Sequence, residues 1–159
     1  MKKNATIFLQ VVIIIIGITA LGIMIWFPLT EGRAVNLDLF SIYADPFIIY
    51  GYVVSIAFFV ALHQAFKLFG YIRQNKLSSP SSVKALRIIK YCAIILSVSI
   101  VMAVLYITIF HNKDDDPAGF VAIGILATFI SIIIVTMATV FERTLQNPVD
   151  IKPDNDLTV

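Results

Sequence analysis

The chain of 159 residues is 59% hydrophobic and 14% charged, with one cysteine and a formal net charge of +2. So small a net charge argues against direct nucleic-acid binding, and a single thiol excludes an internal disulfide. At this length and hydrophobicity, no room remains for a soluble domain with its own core beside the apolar segments described next.

Four stretches of the chain carry no charged residue: Asn4–Thr30, Pro46–Phe66, Tyr91–Phe110 and Pro117–Phe141. Each has about 20 residues or more, enough for a helix to cross a hydrocarbon core of roughly 30 Å. Uninterrupted apolar runs such as residues 11–16 lack the alternation of apolar and polar residues that a strand of a membrane barrel requires. The spans are therefore predicted to be helices. The sequence therefore predicts an all-α integral membrane four-helix bundle, a single domain with spans near 5–29, 46–67, 88–110 and 117–141 and a tail at 142–159.

The basic residues lie almost entirely on one side of these spans. Ten of the twelve precede the first span, lie between the second and third spans, or lie in the tail, and only Arg33 and Lys113 are on the other side. Cytoplasmic loops of membrane proteins carry such an excess of Lys and Arg. We therefore predict a multi-pass protein of the plasma membrane in which both termini are cytoplasmic.

Three helix starts share one local pattern, a capping side chain followed by proline. Asp45-Pro46 precedes the second span, Ser79-Pro80 precedes the helix that leads into the third, and Asp116-Pro117 precedes the fourth. Asp and Ser cap a helix amino terminus, and proline is tolerated at the first helical position. These starts agree with the span boundaries drawn from hydropathy. The tail is expected to begin as a helical extension of the fourth span and to continue as an extended or disordered segment.

The connection between the second and third spans is basic. We expect the second span to continue as a helix to about residue 75, then a turn, then an amphipathic helix, so that a helical hairpin projects into the cytoplasm. The candidate docking residues on this hairpin are Arg73, Lys76, Lys84, Arg87 and Lys90. In the simpler interpretation these cations orient the protein and contact the lipid bilayer, each contributing about 1 kcal/mol beside anionic lipid. In the other, the hairpin docks a cytoplasmic partner.

No Asp, Glu, Lys or Arg lies within any of the four uncharged spans. Proton relays and cation-coupled exporters usually place such groups in the hydrocarbon region, and the interior of the first span offers only Gln10 and Thr19 as polar side chains. The sequence also lacks a Cys-x-x-Cys pair, a Gly-rich phosphate loop and a His-Glu-x-x-His motif. We therefore predict a protein that is not an enzyme, with no catalytic residue, cofactor or metal.

His63 and Gln64 form the most polar pair inside any span. The simpler interpretation is that they hydrogen-bond across helices or reach toward the interface, and the alternative is that they form the floor of a ligand cavity. His111 is predicted at the opposite face of the membrane, so the two histidines cannot share a metal. Asp114-Asp115-Asp116 could hold a hard cation, but a solvated loop is the simpler interpretation because Asp116 also caps a helix.

Two predicted helix faces consist of small residues, which let helix backbones approach closely in lipid. One lies on the second span and the other on the fourth; their members are Ala57, Ala61 and Ala65, and Gly124, Thr128, Ser131 and Ala138. Packing within the bundle explains both faces. The same chemistry serves a homo-oligomer, so that possibility stays open.

Several consecutive stretches of this chain are distinctive beyond their hydropathy. They are Ser82–Ile94, Ala65–Leu68, Lys113–Pro117, Leu145–Asn147, Val149–Lys152 and Asp156–Val159. By these stretches the chain resembles the YoaS-like small membrane proteins of Bacillus and its relatives, a bacterial family of unknown function, over nearly its whole length. The resemblance implies four transmembrane helices and no established activity. The family has tyrosine at the position of His63, which counts against a catalytic or metal role there. Its genes commonly neighbour a small helix-turn-helix regulator of the Cro/repressor type, which implies a cytoplasmic partner.

Two functional hypotheses follow. In the first, the chain is a non-enzymatic membrane protein that binds or sequesters a cytoplasmic regulator or senses the state of the membrane. In the second, it is a small permease or exporter component, or an immunity-type protein against membrane-active peptides. The second hypothesis requires polar span residues to converge on a pathway; the candidates are Gln10, Ser55, Gln64, Ser97, Ser99, Thr128 and Ser131.

Overall fold

The computed structural model describes residues 2–30, 38–110 and 116–155, with side chains described over 4–30, 38–110 and 116–146. These residues form helices α1 (Lys2–Thr30), α2 (Leu39–Tyr43), α3 (Pro46–Arg73), α4 (Pro80–Phe110) and α5 (Ala118–Asn155). The described parts of the chain contain no strand. Four of the helices, α1, α3, α4 and α5, are long and apolar enough to cross a membrane. The predicted all-α, four-span class is confirmed.

The long helices pack as neighbours in chain order. Helix α4 lies between α3 and α5 and packs along both. Helices α3 and α5 also meet directly near one end, where the rings of Phe47 and Phe120 lie edge to face with centroids 5.7 Å apart. Among the described residues, α1 packs on α3 and briefly on α2, and makes no comparable contact with α4 or α5. The fold is therefore a three-helix unit, α3–α5, with α1 attached to its α3 side.

The three predicted cap-and-proline helix starts are confirmed. The Asp45 carboxylate accepts hydrogen bonds from the backbone N–H groups of Phe47, at 2.7 Å, and Ile48, at 3.4 Å. Asp116 accepts from the N–H of Ala118 at 3.0 Å. At the start of α4, the Ser79 hydroxyl accepts from the N–H of Ser82 at 3.4 Å. Each cap satisfies backbone donors that have no partner inside the helix.

Helix α3 ends in a Schellman motif. Asn75 follows the cap residue with a positive φ of 55°, and the N–H of Lys76 donates to the carbonyl of Tyr71 at 2.9 Å. The N–H of Asn75 itself donates to the carbonyl of Ile72 at 3.1 Å. Asparagine is one of the few residues that adopts this left-handed conformation readily. The turn before α4 is therefore tightly defined, as the predicted helical hairpin requires.

Two local predictions differ from the structure. The predicted loop before α3 contains a short helix, α2, whose Ile42 is buried. Helix α5 continues to Asn155, although we expected an extended tail after the first turns beyond the membrane. The prolines of this segment led us to expect that the helix would end. A proline removes only one backbone donor, however, and the helix can continue after it. The side chains beyond residue 146 lie outside the described part of the chain.

Helices α4 and α5 approach each other closely along the predicted small-residue face of α5. Buried and half-buried residues of α5 recur alternately every four and three positions; they are Gly124, Thr128, Ser131, Val135, Ala138, Glu142 and Leu145. That spacing is the one found where helices wrap around each other with side chains interlocked. A Cβ atom added to Gly124 would overlap Cγ2 of Val104 on α4. The predicted face is confirmed, and glycine is required where the two helices are closest.

Proline inside α1 leaves one backbone carbonyl without its usual partner, and tyrosines donate to that carbonyl and to the next one. Pro28 has no N–H, so the carbonyl of Met24, four residues earlier, loses its helical donor. The Tyr52 hydroxyl of α3 donates to that carbonyl at 2.9 Å. The Tyr43 hydroxyl of α2 donates to the carbonyl of Ile25, also at 2.9 Å. Neighbouring side chains commonly satisfy carbonyls that a proline frees in a membrane helix.

We expect Tyr52→Phe to weaken the attachment of α1 by about 0.6–1.7 kcal/mol, the average and the maximum measured for hydrogen bonds between helices of a membrane protein. In a Pro28→Ala background the same change should matter less, because residue 28 then donates its own N–H to Met24. Reversible unfolding in detergent micelles measures both effects as a double-mutant cycle. Tyr106→Phe, which alters an exposed tyrosine of α4, is the matched control. Equal losses in the two backgrounds would show that the hydroxyl does not act through this carbonyl.

Candidate functional site at the basic end

One end of the helix bundle carries most of the predicted basic residues, and we call it the basic end. It comprises the last turns of α3 from Lys67, the turn at 74–79, the first turns of α4 up to Lys90, and residues 138–146 of α5. Its small core consists of Val83, Leu86 and Leu145, with Leu68 of α3 packed against it. All three long helices that meet here contribute to this core, so the basic end is a packed unit and not a free hairpin.

Ser82 fixes the turn to the start of α4. It has no exposed surface, and its hydroxyl donates to the carbonyl of Lys76 at 2.9 Å. The hydroxyl of Ser79 lies 3.2 Å from that of Ser82. A buried polar group needs such partners, since leaving one unpaired costs about 1–3 kcal/mol. These hydrogen bonds hold the backbone of Lys76 in a defined position.

A buried carboxylate ties α5 to α4 at the same end. Glu142 is only 5% exposed, and its Oε1 accepts from Nε of Arg87 at 2.7 Å. Its other oxygen, Oε2, accepts from Nζ of Lys90. The Lys90 ammonium also lies 5.3 Å from the ring centroid of Tyr91. A carboxylate this buried requires paired cations, so the three side chains act as one structural cluster.

The structure divides the five predicted docking residues into two groups. Arg87 and Lys90 are engaged by Glu142. Arg73, Lys76 and Lys84 are exposed and form no ion pair with another residue in the described parts of the chain. The cations that remain free to meet a partner are therefore those of the α3 end, the turn and the outer side of α4.

Sequence reasoning missed the role of Glu142, although a signal was present. Small residues recur every seven positions on α5, at Gly124, Ser131 and Ala138. Glu142 follows Ala138 by four positions and therefore lies on the same side of the helix. A carboxylate on an otherwise small, buried face calls for a cation on the facing helix. Its partner could not be identified without knowing how α4 is rotated against α5.

The structure places His63 and Gln64 on different sides of α3. His63 is exposed and Gln64 is half-buried, and no hydrogen bond joins either side chain to another residue described. Consecutive helical residues point about 100° apart, so the rotation of α3 exposes one of these side chains and half-buries the other. Within the described residues, no group of three or more His, Cys, Asp or Glu side chains could hold a metal ion.

Polar side chains inside the spans are mostly bonded to their own helix. Ser55 donates to the carbonyl of Tyr52 at 2.6 Å, and Thr128 donates to that of Gly124 at 2.8 Å. The other such donors on α5 are Ser131, Thr136, Thr139 and Thr144. Gln10 crosses between helices, donating to the carbonyl of Phe66 on α3 at 3.2 Å. These hydroxyls satisfy themselves locally, which does not favour a shared polar pathway.

Part of the predicted acidic loop cannot be compared with the structure. His111, Asp114 and Asp115 lie outside the described residues, and only Asp116 of that loop is placed. Its carboxylate caps α5, as predicted. Cys92 is buried in α4, consistent with a packing residue.

Comparison with known proteins adds a family and a relative. Residues 29–159 match the family described as "Protein of unknown function (DUF2975)", so that α1 lies almost wholly outside the match. The chain is also 38% identical to the uncharacterized membrane protein YoaS of Bacillus subtilis (strain 168), over 161 residues that cover 100% of both chains. No solved structure matches the chain. The resemblance to the YoaS-like proteins, drawn from short stretches of sequence, is confirmed over the full length.

Proposed function

Because the chain belongs to the DUF2975 family of membrane proteins, whose description states no activity, we propose a function from the geometry of its basic end. The protein is a non-enzymatic, multi-pass protein of the bacterial plasma membrane, with both termini and the basic end in the cytoplasm. Its exposed surface of Arg73, Lys76 and Lys84, which we call the docking surface, holds a small cytoplasmic regulator. The partner presents an acidic face, because the docking surface carries three cations that pair with no described residue of the chain.

The observation that carries this proposal is the contrast between paired and free cations on one rigid scaffold. Glu142 forms ion pairs with Arg87 and Lys90 where α4 packs on α5. The docking surface, in contrast, has no acidic partner within the described residues. The Schellman turn and the buried Ser82 hold the backbone that presents it. Fixed charges of one sign steer an oppositely charged partner and set its orientation.

The alternative functions, a permease or exporter component and an immunity-type protein, are less well supported. A transport pathway needs polar groups that face each other across the bundle, and the hydroxyls of Ser55, Thr128 and Ser131 are engaged by their own helices.

A sensor of membrane state is compatible with the docking proposal, since α1 attaches to the rest of the bundle only along α3 and α2 within the described residues.

Charge reversal on the docking surface tests the proposal. We expect the triple variant Arg73→Glu/Lys76→Glu/Lys84→Glu to reduce by at least about tenfold the amount of the regulator encoded beside the gene that copurifies from native membranes. That loss corresponds to about 1.4 kcal/mol of binding free energy. Reversing three exposed charges at an interface is sufficient to cause a loss of this size. The matched control is Arg143→Glu, which reverses an exposed cation on α5 at the same end of the bundle.

Three outcomes would contradict the proposal. Unchanged copurification in the triple variant would show that these cations do not hold the regulator. Labelling of an Asn75→Cys variant from outside the cell would place the docking surface where no cytoplasmic protein can reach it. Equal losses in the triple variant and in Arg143→Glu would indicate a nonspecific effect of net charge and would equally reject a defined surface.

A further inference from the structure

Helix α3 carries a continuous outward stripe that turns from apolar to polar toward the basic end. Its members are exposed and recur every three or four residues; they are Val53, Ile56, Val60, His63 and Lys67. Residues at this spacing lie on one side of a helix. Other sides of α3 face the neighbouring helices. The side-chain amide of Gln10 on α1 donates to the carbonyl of Phe66, and the Tyr50 hydroxyl donates to the Ser99 carbonyl of α4 at 2.8 Å. The stripe therefore faces the surrounding lipid.

The two polar members of the stripe have no partner among the residues that the structure describes. His63 and Lys67 form no hydrogen bond or ion pair with any residue in the described ranges. They are one helical turn apart, a spacing that brings Cβ atoms to about 5–6 Å. Exposed polar groups at the edge of the hydrocarbon need partners from outside the protein, because the lipid tails supply none.

The depth of this pair along α3 indicates which outside groups are available. The helix begins at Pro46, capped by Asp45 at the opposite end. At 1.5 Å per residue, His63 lies about 26 Å along the helix and Lys67 about 32 Å. A hydrocarbon core is roughly 30 Å thick, so His63 lies at its boundary and Lys67 among the headgroups. The groups at that depth are phosphates of the leaflet at the basic end.

We propose that His63 and Lys67 form a binding site for the phosphate of an anionic phospholipid. The Lys67 ammonium donates charge-assisted hydrogen bonds to the phosphate, and His63 offers a ring N–H as the second donor. The preference for an anionic lipid arises because no carboxylate of the described chain neutralises Lys67, whereas a zwitterionic lipid brings its own cation. The exposed Phe66 ring lies beside the pair, where it can contact an acyl chain.

This site is separate from the docking surface, because it lies on the membrane-facing stripe of α3. It also gives His63 a role that needs neither a metal nor a cavity. A glutamine at this position would keep an N–H donor, whereas a leucine would keep only the apolar contact. That difference in chemistry separates recognition from simple packing.

Lipid titration of the purified full-length protein in neutral detergent tests the site. Native mass spectrometry should show that wild-type protein binds phosphatidylglycerol at least about fivefold more tightly than phosphatidylcholine. We expect His63→Leu and Lys67→Gln each to reduce that ratio by about three- to fivefold, a change of about 0.7–1.0 kcal/mol. His63→Gln should retain most of it. Arg143→Gln, which removes an exposed cation of α5, should leave the ratio unchanged.

Three results would overturn the proposal. The same lipid preference in every variant would assign it to other surfaces, and an equal loss in Arg143→Gln would reduce it to net charge. Competition by inorganic phosphate at the lipid concentration would indicate a site for the free ion and not for a lipid. Thermal unfolding without added lipid provides the folding control, and it should not differ among variants because both side chains are exposed.

Discussion

Gly124→Ala is expected to loosen the packing of α4 on α5 and to lower the stability of the bundle by about 1–3 kcal/mol, the usual result of overpacking. The new methyl group would overlap Cγ2 of Val104. Valine is branched at Cβ and restricted at χ1, so that methyl cannot rotate away easily. Alanine favours helix over glycine by roughly 0.5–1 kcal/mol, which offsets part of the loss. The helices must therefore move apart.

A compensating change and a matched control make the Gly124 prediction specific. Val104→Ala in the Gly124→Ala background removes the overlapping methyl group, so we expect it to restore much of the lost stability. Gly22→Ala on α1 adds the same methyl group where no atom lies within 4 Å. That control should be neutral or slightly stabilising in reversible unfolding. A loss at Gly22 equal to the loss at Gly124, or no rescue by Val104→Ala, would contradict a close approach at this position.

Glu142→Leu is expected to produce the other large loss, on the order of 2 kcal/mol, because it leaves cations without their carboxylate at a packed interface. Lys90 bears most of this effect, since its side chain is only 19% exposed. The Arg87 side chain is 48% exposed, so water compensates much of what it loses. The same variant should weaken capture of the regulator, because α5 then supports the basic end less firmly.

The double variant Lys90→Leu/Glu142→Leu distinguishes a broken ion pair from a lost packing contact. Replacing both partners with apolar side chains is often close to neutral, whereas removing one leaves a buried charge. We therefore expect the double variant to be more stable than Glu142→Leu alone. Arg143→Gln, one position along α5 and exposed, should change stability by no more than about 0.5 kcal/mol. If the double variant is the less stable one, Glu142 acts through packing and not through Lys90.

The sequence was sufficient for the features that depend on local chemistry. Uncharged runs located the four spans, because backbone groups in lipid must be satisfied within a helix. Asp45 and Asp116 located two helix starts through side-chain caps that act over two or three residues. The buried face of α5 followed from small residues at helical spacing, and Gly124 lies where the approach is closest.

The features that sequence reasoning missed depend on which helix faces which. Arg87 and Lys90 belonged by sequence to a uniformly basic hairpin, and only the position of α5 engages them with Glu142. Pro28 could be recognised as a disruption of α1, but nothing local indicated that Tyr52 of another helix would bond to the freed carbonyl. His63 and Gln64 were adjacent and polar, yet the rotation of α3 leaves His63 exposed and Gln64 half-buried.

The attachment of α1 through α3 has a consequence for the biogenesis of this protein. The ribosome completes α1 before any of its packing partners exist, and α4 and α5 later pair with α3 without needing it. The first helix must therefore leave the translocon and reside in the bilayer alone, which its long run without a charged residue allows. The Tyr43 hydroxyl arrives with α2, but only when the third helix in chain order arrives can the Tyr52 hydroxyl reach the waiting carbonyl of Met24 and lock the early-inserted helix into the finished assembly.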